Sequence, residues 1–229
     1  MKFKNYLTIE QMIYEACNRF YQGKPLEKGG TSIAGNVAPP VRELFKKGLI
    51  KSGDTVLDYG AGKYGRNADW LREQGCRVYA YDPFHGGQDG WEGVSNKKPI
   101  MNFYQKSFTA YVLNVVPEYV ETAIIQEVNR YTLASGKQFH ITRNKDVFDS
   151  AKKALMSQNK VIGKFFIEQF AEGDEDISNY ENKSLSDERI EDFCCFGYQS
   201  TRGFQRIPFL EDKGFKIVRS TSGYKIYQK

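Results

Sequence analysis

The stretch Thr55-Val56-Leu57-Asp58-Tyr59-Gly60-Ala61-Gly62-Lys63-Tyr64-Gly65 decides the fold. A short apolar run ends in an acid and passes at once through three glycines, which reads as a strand breaking into a tight turn that opens a helix. A second run, Arg77-Val78-Tyr79-Ala80-Tyr81, then ends in Asp82-Pro83. Strand, glycine turn, helix and strand in that order form the crossover unit of a parallel sheet. Glycines at such a turn let the backbone approach a ligand closely. An acid at the tip of the second strand can accept hydrogen bonds from both ribose hydroxyls of a nucleoside.

Gly60-x-Gly62-x-x-Gly65 also satisfies the dinucleotide fingerprint, so the glycines do not choose between cofactors. Asp58 does. It precedes the first glycine by two residues, where a pyrophosphate would bring negative charge to the helix N-terminus and a carboxylate would repel it. S-adenosylmethionine has no phosphate and carries a sulfonium and an ammonium group, which a carboxylate attracts. Val-Leu-Asp-Tyr-Gly-Ala-Gly followed by Tyr-Asp-Pro resembles the first two motifs of class I S-adenosylmethionine-dependent methyltransferases. Asp58, Gly60, Ala61, Gly62, Gly65, Asp82 and Pro83 are the expected cofactor contacts, with Asn114 added at a later strand end.

Working outward, Ile9, Met12, Ile13, Ala16, Cys17 and Phe20 make a helical stripe behind Thr8, and a glycine-rich linker follows. Residues 1–36 therefore form an N-terminal helix and linker, a candidate lid, ahead of a methyltransferase domain over 37–229. Pro39-Pro40 opens a second helix bearing Val41, Leu44, Phe45 and Leu49. The first strand is expected at Thr55 to Asp58, its helix at Tyr64 to Gln74, and the second strand at Arg77 to Tyr81. His85 to Pro99 reads as irregular. A short strand is expected at Ile100 to Tyr104 and a buried strand at Phe108 to Val116. A helix should run from Pro117 to Leu133, and a strand from Lys137 to Arg143 after a turn at Ser135-Gly136. Asp146 to Glu172 reads as helical and Asp174 to Ser186 as polar. Phe215 to Arg219 and Tyr224 to Tyr227 make an antiparallel hairpin around Ser220-Thr221-Ser222-Gly223. The fold class is thus α/β, a Rossmann-like, mostly parallel sheet with a C-terminal antiparallel hairpin. The family resemblance implies seven strands, the last inserted antiparallel between its neighbours.

The formal net charge is +5, but residues 168–192 hold ten acids against two bases, a balance of −8 that leaves +13 on the rest. A basic body favours a polyanionic partner and the acidic segment reads as an insert, although a solvated surface explains the same charges. Cys17, Cys76, Cys194 and Cys195 lack C-x-x-C spacing, and His85 and His140 are the only histidines, so no metal site is expected. No membrane-spanning run or signal peptide is legible, and a cytoplasmic location is expected.

In amino-methylating DNA enzymes the fourth strand ends in Asp/Asn-Pro-Pro-aromatic. Here the corresponding residues are Leu113-Asn114-Val115-Val116-Pro117-Glu118, without the double proline or the aromatic. Asn114 either holds cofactor or substrate or caps the following helix. Thr31 to Asn36, Tyr111 to Val115, Thr142 to Val147 and Ser200 to Gln205 together resemble methyltransferases associated with DNA phosphorothioation systems. Thr201-Arg202-Gly203-Phe204-Gln205-Arg206 carries the ingredients of a phosphate or base contact. Asn114, Arg202 and Gln205 are the candidate catalytic residues. Trp91, in a glycine loop, could stack on adenine or a substrate base, whereas Trp70 and His140 read as structural. The expected activity is methyl transfer to a nucleic acid, DNA favoured. A small-molecule methyltransferase and a non-catalytic cofactor-binding protein are the alternatives.

Overall fold

The computed structural model describes residues 35–113, 116, 118–144 and 207–229. Along them run α1 (Pro39–Lys46), β1 (Thr55–Tyr59), α2 (Arg66–Glu73), β2 (Arg77–Tyr81), β3 (Tyr104–Ala110), α3 (Glu118–Tyr131), β4 (Thr132–Arg143), α4 (Ile207–Asp212), β5 (Lys216–Ser220) and β6 (Tyr224–Gln228).

The strands pair in the order β2-β1-β3-β4-β6-β5. The pairs β1–β2, β1–β3 and β3–β4 are parallel, and β6 lies antiparallel between β4 and β5. The fold is therefore Rossmann-like, with its last strand inserted as the family resemblance implies. From β1 the chain moves outward to β2 and then crosses back to β3, which flanks β1 on the other side. That reversal makes the carboxyl end of β1 a topological switch point, where open α/β sheets bind ligands. The described residues supply six strands rather than seven. Outside β2 a single parallel bridge, Tyr81 to Ser95, covers the sheet edge.

Successive strand residues point to opposite faces, and β1 is buried on both. Val56, Val78, Ala80, Phe108 and Ile141 pack on one face against Val41 and Leu44 of α1 and Ala68 and Leu71 of α2. Leu57, Tyr59, Tyr79, Tyr81 and Tyr104 line the other, beneath Ile124, Ile125 and Val128 of α3. Eight-residue helices such as α1 and α2 are too short to persist alone, so this burial holds them. Each fully buried Leu contributes about 1.5–3 kcal/mol. The helix α1 starts on Pro39, whose missing N–H costs nothing there. The helix α2 closes through Gly75, whose φ of 85° no β-carbon favours and whose N–H donates to the Arg72 carbonyl.

Three expected boundaries move. Residues 101–102 form a turn instead of a strand, because Asn102 takes φ 49° and its N–H is clipped to the Arg130 carbonyl at the end of α3. The strand expected to reach Val116 stops at Ala110, where Tyr111 adopts φ 65° and leaves the ladder. The helix expected to reach Leu133 ends at Tyr131 and passes straight into β4. Ser135-Gly136 is consequently inside a strand. A β-carbon on Gly136 would lie 2.9 Å from the Gln105 carbonyl oxygen, beside a register shift between Tyr104 and Lys106, so this glycine marks a bulge and close approach, not a turn. The Ile9–Phe20 helix, the glycine-rich linker, the 146–172 helix, the 168–192 insert and the 201–206 loop lie outside the described residues.

Candidate cofactor site

At the carboxyl end of β1 the chain folds over the end of β2: the Gly60 and Ala61 N–H groups both donate to the Tyr81 carbonyl, at 2.8 and 3.0 Å. Gly60, Gly62 and Gly65 all have positive φ, at 81°, 69° and 55°. Their surroundings differ. A β-carbon on Gly60 would lie 2.3 Å from Val112 Cγ2 and one on Gly65 2.7 Å from Val94 Cγ2, whereas one on Gly62 would meet nothing within 4 Å. Gly60 and Gly65 are thus required by the protein's own packing, and Gly62 lies against open space that a ligand can fill.

Asp82 ties the turn to the next loop. Its Oδ2 accepts the Gly62 N–H at 2.9 Å, and its Oδ1 accepts those of Phe84 and His85, both at 2.9 Å. A carboxylate has about four acceptor sites, so three are taken by backbone. Pro83, Phe84 and His85 are exposed beyond it.

Asp58 is the electrostatic anomaly. It sits on the α1 and α2 face of β1, fully buried, and neither carboxyl oxygen has a hydrogen-bond partner. Burial pushes its pKa up to about 8; the Arg72 guanidinium works against that shift, and Asp82 and Asp69 add to it. The Arg72 charge is committed elsewhere, to Asp69 and to the carbonyls of Val78, Gly90 and Gly93. A buried acid without a partner is costly, and it suits a site that receives a cation.

The structure therefore brings together Asp58, Gly60, Ala61, Gly62, Gly65, Asp82 and Pro83. Asn114, Arg202 and Gln205 lie outside the described residues, and β3 ends at Ala110. Trp91, a candidate to stack on adenine or a substrate base, instead packs edge-on to Tyr79 at 5.3 Å and stacks on Tyr104 at 6.1 Å, with the guanidinium of Arg77, the first residue of β2, 5.6 Å from its ring centroid, at the opposite end of the strand from the glycine turn. Trp70 packs edge-on to Phe45, as its place on the helix stripe implies. His140 is structural. Gln138 Nε2 donates to the Ile125 carbonyl and to His140 Nε2, so His140 Nδ1–H donates to Thr109 Oγ1 at 2.8 Å. Val94, Val112 and Arg72, which shape and staple the site, carry no local signal, because their partners are distant in sequence.

Among the described residues no group of three His, Cys, Asp or Glu side chains could hold a metal ion, and no helix is long and apolar enough to cross a membrane.

No family model and no curated protein matches the chain. Among solved structures, an S-adenosylmethionine-dependent methyltransferase from Aquifex aeolicus aligns at 19% identity and TM-score 0.42, over 83% of this chain and 92% of that one. The 1,6-didemethyltoxoflavin-N1-methyltransferase of Burkholderia thailandensis, with bound 1,6-didemethyltoxoflavin and S-adenosylhomocysteine, aligns at 12% and 0.45, over 95% and 85%. The magnesium protoporphyrin IX methyltransferase of Synechocystis PCC 6803, with bound S-adenosylhomocysteine, aligns at 15% and 0.45, over 98% and 88%.

Proposed function

We propose that the chain is an S-adenosylmethionine-dependent methyltransferase whose acceptor is a nucleic acid, DNA favoured. One observation carries the cofactor assignment: the fully buried, unpartnered Asp58 carboxyl stands beside a glycine turn whose central glycine faces open space. A phosphate-bearing dinucleotide would set like charge against that acid; a sulfonium with an ammonium group supplies the missing counter-charge. When bound, the cofactor supplies an electrophilic methyl group. Asp58 holds the cationic methionine end, the Gly62 backbone lies against the ligand, and Asp82 takes the ribose. Engaging two hydroxyls requires Asp82 to release one of the three backbone amides it holds.

The rest of the task is to place a nucleophile in line with the methyl group and keep water away, which needs no catalytic dyad. The nucleic-acid assignment is supported by the +13 balance outside 168–192. The deciding experiment incubates the protein with methyl-labelled cofactor and DNA, RNA and cell metabolites. Label on nucleic acid is expected. Label confined to the metabolites would overturn the acceptor assignment, and absence of cofactor binding by calorimetry would overturn the whole reading.

A further inference from the structure

Beside the glycine turn the surface carries aromatic rings under unpaired cations. Tyr64, 46% exposed, has the Lys63 ammonium 5.7 Å and the Arg66 guanidinium 5.3 Å from its ring centroid. Arg66 and Trp70 are four apart on α2 and so share a side of the helix. The Arg42 guanidinium of α1 lies 5.8 Å from the Trp70 ring centroid. The two helices are held together by the Ala38 N–H donating to Asn67 Oδ1 and by the Phe45–Trp70 contact. Lys63, Arg66, Trp70 and Arg42 therefore form one strip that begins at the glycine turn.

The acids nearby do not neutralise it. Glu43 pairs with Lys47 and Arg219, and Asp69 pairs with Arg72, so only Glu73 on these helices is uncommitted. Among the described residues Arg42, Lys63 and Arg66 take part in no ion pair. When the two exposed side chains turn from the ring to a phosphate, they leave the Tyr64 face to a flat group and supply charge for the anions that bracket it. Unpaired bases on a phosphodiester backbone have both, whereas duplex bases offer no free face.

We infer that the Lys63-Tyr64-Arg66 strip, continued by Arg42 and Trp70, docks a single strand of nucleic acid alongside the cofactor site, with a base on Tyr64 and phosphates on the three cations. This deepens the proposed function and rests on its nucleic-acid reading. A base presented unstacked at the strip has already left its duplex, as chemistry on a base requires.

The test measures fluorescence anisotropy with a labelled oligonucleotide, single-stranded DNA or RNA and the DNA duplex, over a range of salt. It compares the full chain with Tyr64→Ala and with the double variant Lys63→Ala/Arg66→Ala. Tyr64→Ala should weaken single-strand binding about 5- to 150-fold. The double variant should flatten the single-strand salt slope by about 1.4, for two phosphates. Both should keep wild-type cofactor affinity and thermal stability, since these side chains are exposed and the turn meets the cofactor through its Gly62 backbone. Unchanged single-strand affinity in Tyr64→Ala overturns the proposal. So does wild-type preference for duplex, or equal competition by a poly-aspartate peptide, which would show a strip that takes any acidic partner. Cofactor binding without oligonucleotide binding removes the strip and spares the cofactor site; oligonucleotide binding without cofactor binding does the reverse.

Discussion

Asp58 gives the site a measurable dependence on pH. Its carboxyl has an ordinary pKa of 3.8, raised to about 8 by burial in the folded chain. Between those values the folded protein keeps a proton that the unfolded chain has released, so stability falls as pH rises through the window and levels off above about 8. The slope is at most about 1.4 kcal/mol per pH unit. Urea unfolding of Asp58→Asn should therefore gain on wild type steadily from pH 4 to pH 8; parallel curves would mean the acid is ionised in place. A cationic ligand favours the ionised form, so S-adenosylmethionine should bind more tightly up to about pH 8 and release a proton from Asp58. Calorimetry in buffers of different ionisation enthalpy counts that proton. Its absence in wild type, or persistence in Asp58→Asn, would place the cation elsewhere. At Asp82, replacement by alanine should cost about 1.5–3 kcal/mol of cofactor affinity. Gly62→Val should abolish binding by filling the space the ligand needs, although part of its effect is strain at φ 69°. For that reason Gly62→Ala, the smaller intrusion, should lie between the two in a titration.

The β1 to β2 unit was legible in the sequence because its signals are local: apolar runs bounded by glycines and acids, with Arg77–Tyr81 observed as expected. The ends of β3 and β4 were not. Tyr111 leaves the ladder in a backbone region that no tyrosine advertises, and Gly136 looks like a turn residue until the approach of the Gln105 carbonyl is known. At the site, the glycines and both acids could be read from their spacing, but the partners that bind them could not. Trp91 was misleading because a glycine loop normally leaves its aromatic free, and here that loop folds back over Tyr79. What folds it back is Arg72, whose guanidinium holds the Gly90 and Gly93 carbonyls from α2. Arg72→Met, which keeps the aliphatic stem, should cost about 1–3 kcal/mol, since the Gly93 carbonyl loses its donor and the Gly90 carbonyl keeps only the Ala80 N–H. Hydrogen exchange should show the loss of protection centred on residues 88–95; protection lost evenly over the sheet would deny Arg72 its stapling role.

Across the whole molecule the acid of one sheet face is opposed by a base of the other. His140 is fully buried and neutral, its pKa lowered by burial from 6.5 to about 3. Between those values the unfolded chain takes up a proton that the folded chain refuses, so this group makes stability rise with pH and reach its full effect above 6.5. From pH 4 to 6.5 the contributions of Asp58 and His140 therefore oppose one another, and above 6.5 only the fall from Asp58 remains. His140→Gln should remove the rising part. Subtracting its urea stability from that of wild type at each pH should give a difference that shrinks as the medium is acidified below 6.5 and is flat above it. A flat difference throughout would mean that His140 accepts its proton in the folded state.

The placement of β6 between β4 and β5 bears on the time course of assembly. Val56 pairs with Val78 and Thr55 with Arg77, short closures within one stretch of chain, whereas Arg143 must wait for Tyr224. Closing the longer loop costs more entropy before any ladder bond repays it. On a ribosome, the glycine turn and both strands that frame it emerge long before the strand that completes the sheet. The cofactor-binding half can thus take shape first, while β4 presents an unpaired edge until Tyr224 to Gln228 arrive.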